Sequence, residues 1–187
     1  MTGFGVVRSL HIAAAPGDPP HPVAAVWAVA GRGLLGDRNY RELPGDPAAP
    51  ERGVGRASGV CQISLIELEA IEALEHEHGV RITASESRRN VVCTGVRLLS
   101  LVGKEFQVGE VTLRGQRPSE PCARLEQLTR PGVLRGLIHR GGLRAEILRG
   151  GLLRVGDPLW PAEAPRAGQA APGRDAHPVR GPLSDQR

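Results

Sequence analysis

Cys122 sits in the stretch RPSEPCARLEQLT, directly after a proline and before a run with helical apolar spacing. If Ser119 caps that helix, Glu120 and Pro121 fill its first positions and Cys122 takes the third. Proline is well placed there, because its missing N–H costs nothing in a first turn. Free backbone N–H groups and the helix dipole then favour negative charge on the sulfur. Arg117 and Arg124 stand close enough in sequence to add to that field. A sulfur held as thiolate can act as a nucleophile, carry a persulfide or ligate a soft metal. The plainer reading is a small buried residue near a helix start.

Two basic stretches can serve an anion beside such a sulfur. In ESRRNVV, Arg88, Arg89 and Asn90 come just before a β-branched run. Arginine offers a planar fork to phosphate or carboxylate, and asparagine orients a ligand or caps a turn. In GLLGDRNY, Gly36 permits close backbone approach, Asp37 holds a turn or an arginine, and Arg38 reaches an anion. Taken singly, each stretch also reads as surface arginines beside turn residues. Arg140, Gly141 and Gly142 read as a helix stop. The histidines at 11, 21, 76, 78, 139 and 177 form no ligand pattern with Cys61, Cys93 or Cys122, and no C-x-x-C occurs.

The elements that must position these groups are mostly short strands. GVVRSLHIAAA and VAAVWAVA read as strands, and Pro/Gly-rich residues 41–58 as a long surface loop. GVCQISLI is strand-like, with Cys61 as a core thiol. A helix follows: Ser64 and Glu67 fit a capping box, Leu65, Leu68, Ile71 and Leu74 recur at helical spacing, and Gly79 stops it. The glutamates at 67, 69, 72, 75 and 77 read as its solvated face. NVVCT is a buried strand, KEFQV and EVTLRG flank a turn at Val108–Glu110, and Gly150-Gly151 reads as a hairpin turn. Many short strands, few helices and no repeated βαβ rhythm predict a mainly β fold, an antiparallel or mixed barrel. From Pro161 onward the apolar periodicity is lost, which predicts a disordered tail over 161–187.

Composition narrows the function. The 187 residues suit one domain, expected over 1–160. The positive charge behind the net +4 is carried almost wholly by arginine, since Lys104 is the only lysine; arginine suits phosphate and carboxylate partners, but genome base composition also favours it, so the excess alone does not mark an anionic ligand. Five aromatics (Phe4, Trp27, Tyr40, Phe106 and Trp160) are too few to serve as stacking platforms for single-stranded nucleic acid. An odd cysteine count, no signal-peptide pattern and no membrane-length apolar run predict a cytoplasmic chain with reduced thiols.

In order along the chain, GLLGDRNY, QISLIELEAIEAL, ESRRNVVCTGVRLLSLVGKEFQVGEVTLRG, EPCARLEQLT and GGLRAEILRGGLLRVGDPL resemble the MOSC domain, over about residues 4–160. That family takes its name from the C-terminal domain of molybdenum cofactor sulfurases. The resemblance implies a β-barrel of short, mostly antiparallel strands with a few short helices. It implies a pocket for the molybdenum cofactor, a pterin bearing a phosphate and a dithiolene-bound metal. By the same resemblance Cys122 matches the cysteine that binds the metal or carries sulfur, and Arg88 and Asn90 match positions that hold the cofactor; Arg38, Arg89 and Asp37 join them as candidates.

The resemblance implies two readings: a molybdenum-dependent oxidoreductase acting on N-hydroxylated small molecules, or a persulfide carrier that hands sulfur to an acceptor. Either needs an external electron, sulfur or cofactor donor protein, because no dinucleotide fingerprint or iron–sulfur motif is present. Two departures from the family stand out. Where close relatives often carry a second cysteine, this chain has Ser119. Lys104 sits in a turn between strands, so pyridoxal phosphate is not expected to bind. A basic barrel that binds nucleic acid is the alternative from another class, disfavoured by the scarcity of aromatics.

Overall fold

The computed structural model of the protein describes residues 5–42 and 61–161. The expected loop over 41–58 and tail over 161–187 therefore lie almost entirely outside the described residues. The strands are β1 (Gly5–Ile12), β2 (His21–Val23), β3 (Ala25–Val29), β4 (Gly33–Leu34), β5 (Ile63–Glu67), β6 (Val91–Thr94), β7 (Glu105–Val108), β8 (Val111–Pro118), β9 (Leu143–Arg149), β10 (Gly151–Arg154) and β11 (Pro158–Pro161). The helices are α1 (Leu68–His78), α2 (Ala123–Leu128) and α3 (Val133–Gly136).

Seven strands close a barrel in the order β11-β7-β8-β9-β5-β6-β1, sealed where Gly5 and Val6 of β1 pair with Leu159 and Pro158 of β11. Closure removes the edges that an open sheet would expose. All neighbours run antiparallel except β5 and β6, which α1 joins as a crossover. A second sheet, β10-β3-β4, lies beside the barrel. The expected mainly β barrel is therefore present, with one parallel pair.

Strand alternation sorts side chains into two cores. Ile63, Leu65, Val91, Cys93, Phe106, Leu113 and Leu143 fill the barrel. Ile66 and Val92 point outward, where they meet Ala70, Ile71 and Leu74 of α1, Leu125 of α2 and Val133 of α3. Each large side chain so buried contributes about 1.5–3 kcal/mol. Gly79 stops α1 as expected, in left-handed backbone with φ 66°. Gly109-Glu110 makes the expected tight turn, with Val108 opposite Val111.

Three expected local structures differ. Ser64 does not cap α1: it is the second residue of β5, and the helix begins four residues later. Glu67 turns instead to the backbone N–H of Leu98, which it accepts at 2.7 Å. Gly150 is no hairpin: β9 and β10 belong to different sheets, and Gly150 lies against the backbone of β3, 2.6 Å from its ideal Cβ to the Ala28 carbonyl oxygen. Ser119 is a buried extension of the β8–β9 ladder, donating its N–H to the Gly142 carbonyl at 2.8 Å. Helix α2 therefore starts later, with Cys122 at its cap in extended backbone (φ −141°, ψ 163°).

Candidate functional site: an exposed thiol among arginines

Cys122 is exposed, and its thiol makes no capping bond to α2. Its carbonyl does the capping, accepting from Leu125 N at 2.9 Å and Glu126 N at 3.3 Å. The sulfur is thus left free. Helix α2 has only six residues, so the local field comes mainly from guanidinium groups.

Those groups approach from two sides. Arg89 is clamped behind the thiol loop: Nε donates to the Gly141 carbonyl at 2.8 Å and one terminal nitrogen to the Ser119 carbonyl at 2.8 Å. Burial, then repulsion from Arg144, brings its pKa down to about 10, while Cys61 and Cys122 act in the opposite sense. It remains a cation at neutral pH, within electrostatic reach of Cys122. Gly141 is required for this clamp, since a Cβ there would lie 2.3 Å from the Ser119 carbonyl oxygen. Glu120 fastens the same loop by accepting the His139 N–H at 3.0 Å.

The second side gathers around residues 13–18. Arg88, in left-handed backbone at φ 58°, donates to the Asp18 carbonyl at 2.9 Å. Its guanidinium is pushed below the ordinary value by burial and then by repulsion from Arg38 and Arg124. Arg124 reaches within 3.9 Å of where a Cβ on Gly17 would stand. Arg38 is anchored by its N–H on the Ala13 carbonyl at 2.6 Å. None of Arg38, Arg88, Arg89, Arg117, Arg124 and Arg144 forms an ion pair among the described residues. Arg81, Arg114, Arg130, Arg140 and Arg154 each pair with a glutamate.

Asn90 and Asp37 take a different part. Both are buried. Asn90 Nδ2 donates to the His11 carbonyl and to Asp37 Oδ2, each at 3.2 Å. Its Oδ1 accepts from Ser64 N at 3.1 Å and Ser64 Oγ at 2.8 Å. Both amide hydrogens and both lone pairs of the oxygen are spent inside the protein. Asp37 likewise accepts from Ala13 N at 3.2 Å and Asn39 N at 3.0 Å. Together these two side chains tie β1, β5, the start of β6 and the Arg38 turn into one knot.

Arg144 carries no local motif that marks it; its outward position follows from the alternation of β9. Cys61 is not the fully buried core thiol its strand-like segment predicts. Cys61 is half-buried and donates to the Ile63 carbonyl at 3.0 Å. Burial raises its pKa against the pull of Arg144 and Arg89. His11 is buried, its Nδ1 has no hydrogen-bond partner among the described residues, and burial, then His21, lowers its pKa. No group of three or more His, Cys, Asp or Glu able to hold a metal occurs among the described residues. No helix among them is long and apolar enough to cross a membrane.

A closed, mainly antiparallel barrel with an exposed cysteine between arginine groups defines the class of protein. The family model for the MOSC domain matches residues 52–160, more than half of the chain, and the chain belongs to that family. The family is associated with the molybdenum cofactor. Among solved structures, the YuaD protein from Bacillus subtilis superposes with a TM-score of 0.68 at 20% identity, covering 83% of this chain and 94% of that one. YiiM from Geobacillus stearothermophilus gives 0.60 at 18% identity, covering 85% and 75%. YiiM from Escherichia coli gives 0.58 at 14% identity, covering 88% and 71%. At these identities the likeness is one of fold. No curated protein sequence matches the chain.

Proposed function

We propose that the chain binds the molybdenum cofactor and works as an oxidoreductase on N-hydroxylated small molecules. The observation that carries this reading is a free, exposed thiol near guanidinium groups that form no ion pair among the described residues. Such a set suits a ligand that is both anionic and centred on a soft metal. A purely structural cysteine would be buried, as Cys93 is.

In this reading Cys122 ligates the metal through sulfur. Arg38, Arg88 and Arg124 bind the pterin phosphate, each offering planar donors to its oxygens. Arg89 holds the Cys122 loop by its two carbonyl contacts and supplies positive charge behind the sulfur. Asn90 and Asp37 keep Arg38 and Arg88 in place. When bound, the cofactor supplies two-electron transfer and accepts an oxygen atom; the protein supplies orientation and charge. Reduction of an N-hydroxyl compound to the amine consumes two electrons and two protons and releases water. A separate donor protein provides the electrons.

The test is purification from a molybdenum-replete host, with metal and pterin assayed on wild type and Cys122→Ala. Both are expected in wild type, and both fall together in the variant, which loses one metal ligand but keeps the arginines. A folded wild type carrying neither overturns the proposal. A sulfur adduct on Cys122 without metal points to the persulfide carrier instead.

A further inference from the structure

The outer face of β7, β8 and β9 carries two neighbouring rows of charge with opposite designs. In one row Glu105 of β7 faces Arg114 of β8, which faces Glu146 of β9. Arg114 and Glu105 pair at 2.7 Å, and carboxylates stand on both sides of the cation. In the next row Arg117 of β8 faces Arg144 of β9, which faces Ser64 of β5. No acid stands in that row. Like charges directly opposite each other destabilise a sheet, and alternation of sign is the usual remedy.

The second row is also built by an irregularity. Leu113 and Gly115 are buried on the inner side of β8, so strict alternation would turn residue 117 inward. Between Gly115 and Arg117 the register with β9 shifts: Gly115 lies opposite Ala145 and Arg117 opposite Arg144. This bulge at Gln116 turns Arg117 to the face that Arg144 occupies. Bulges of this kind re-aim side chains and cluster near functional sites. Arg144 Nε lies 3.4 Å from Ser119 Oγ, while Arg89 holds the Ser119 carbonyl at 2.8 Å. Arg144, with Arg117 opposite it, therefore stands at the root of the loop that presents Cys122. One phosphate monoester brings at most about two negative charges, too few for both arginine groups.

We infer that Arg117 and Arg144, with Arg89 behind them, form a second oxyanion subsite beside Cys122 that takes a carboxylate or phosphate group of the substrate. In naming the occupant as substrate the inference rests on the oxidoreductase reading; the subsite itself does not.

The experiment is calorimetric titration of the full chain at low ionic strength with inorganic phosphate and, separately, malonate. The variants are Arg144→Gln, Arg117→Gln and Arg144→Lys, with Arg114→Gln as control. Molybdenum content is measured on each, and circular dichroism confirms folding. Arg144→Gln and Arg117→Gln are each expected to weaken at least one probe by about tenfold or more, the size of a lost charged hydrogen bond. Arg144→Lys keeps the charge but loses the fork and falls between. Arg114→Gln leaves binding unchanged. The stronger of phosphate and malonate tells which oxyanion the subsite prefers. Equal probe binding in wild type and both glutamine variants, or none in wild type, overturns the subsite. If wild type lacks molybdenum yet probe binding still depends on Arg144, the cofactor reading fails and the subsite stands.

Discussion

Replacing Asn90 by alanine removes four hydrogen bonds from a buried knot, to His11 O, Asp37 Oδ2, Ser64 N and Ser64 Oγ. Each bond is worth about 0.5–1.5 kcal/mol net, and a buried group left unpaired costs about 1–3 kcal/mol. Ser64 and Asp37 keep other partners, so about 3–5 kcal/mol is the expected total, against about 5–15 kcal/mol for a whole domain. For a chain of this size that lowers the melting temperature by about 6–20 °C. The assay is thermal denaturation of cofactor-free chain, followed by circular dichroism. Asn90→Asp is a sharper version. It keeps the shape but sets an oxygen against Asp37 Oδ2 and the His11 carbonyl, so it is at least as unstable near neutral pH and recovers in part as the new carboxyl protonates. A residue that only contacted a ligand would leave cofactor-free stability unchanged. A melting shift under about 2 °C in Asn90→Ala refutes the positioning role.

Other outcomes follow from the same geometry. Brief treatment with iodoacetamide at pH 8 modifies Cys122 first, because it is exposed, whereas burial raises Cys61 and pushes Cys93 up to about 12; peptide mass mapping that finds Cys61 or Cys93 alkylated first contradicts this. Gly142→Ala costs more than about 3 kcal/mol, since φ is +99° and the new Cβ would lie 1.9 Å from the Leu65 carbonyl oxygen. Gly31→Ala, with positive φ but nothing nearby, costs only about 1–2 kcal/mol, and equal urea midpoints for the two variants count against the packing account. Glu86 is held below its ordinary pKa of 4.5, chiefly by the Thr83 N–H that it accepts, so its contribution is present above that value and lost as pH falls through the lower folded one. Glu86→Gln is therefore less stable than wild type at pH 7, with a gap that closes in acid; a gap independent of pH argues against it.

Much of the barrel was legible because alternation is local. The strands at 105–108 and 111–115 carry their inward residues at every second position, as Val91 and Cys93 do in β6, and Gly109 marks the turn between β7 and β8; β1 alternates only as far as Val7, where a register shift brings Leu10 inward. The misread boundaries share a cause. Ser64, four residues before α1, satisfies the spelling of a capping box, but β5 claims it because Ile63 and Leu65 fill the barrel and Ser64 must answer Asn90. Ser119 looks like a cap for the same reason, yet the ladder to Gly142 claims it. Gly150-Gly151 has the composition of a hairpin, but which sheet β10 joins is decided by long-range pairing to β3.

The site divides in the same way. Cys122, Arg38 and Arg88 are recognisable from local chemistry and family resemblance. That Asn90 is saturated depends on backbone and side-chain groups 26 to 79 positions away in sequence. Arg117 facing Arg144 depends on a one-residue bulge, and register of that kind leaves no mark in composition.

The central claim is that Cys122 is the protein's own ligand to molybdenum. Molybdenum-edge X-ray absorption on cofactor-loaded protein tests it directly, wild type beside Cys122→Ser. The expected result is a sulfur shell in wild type that exceeds the pterin's two sulfurs by one and loses that one in the variant. An identical sulfur shell in both contradicts the account.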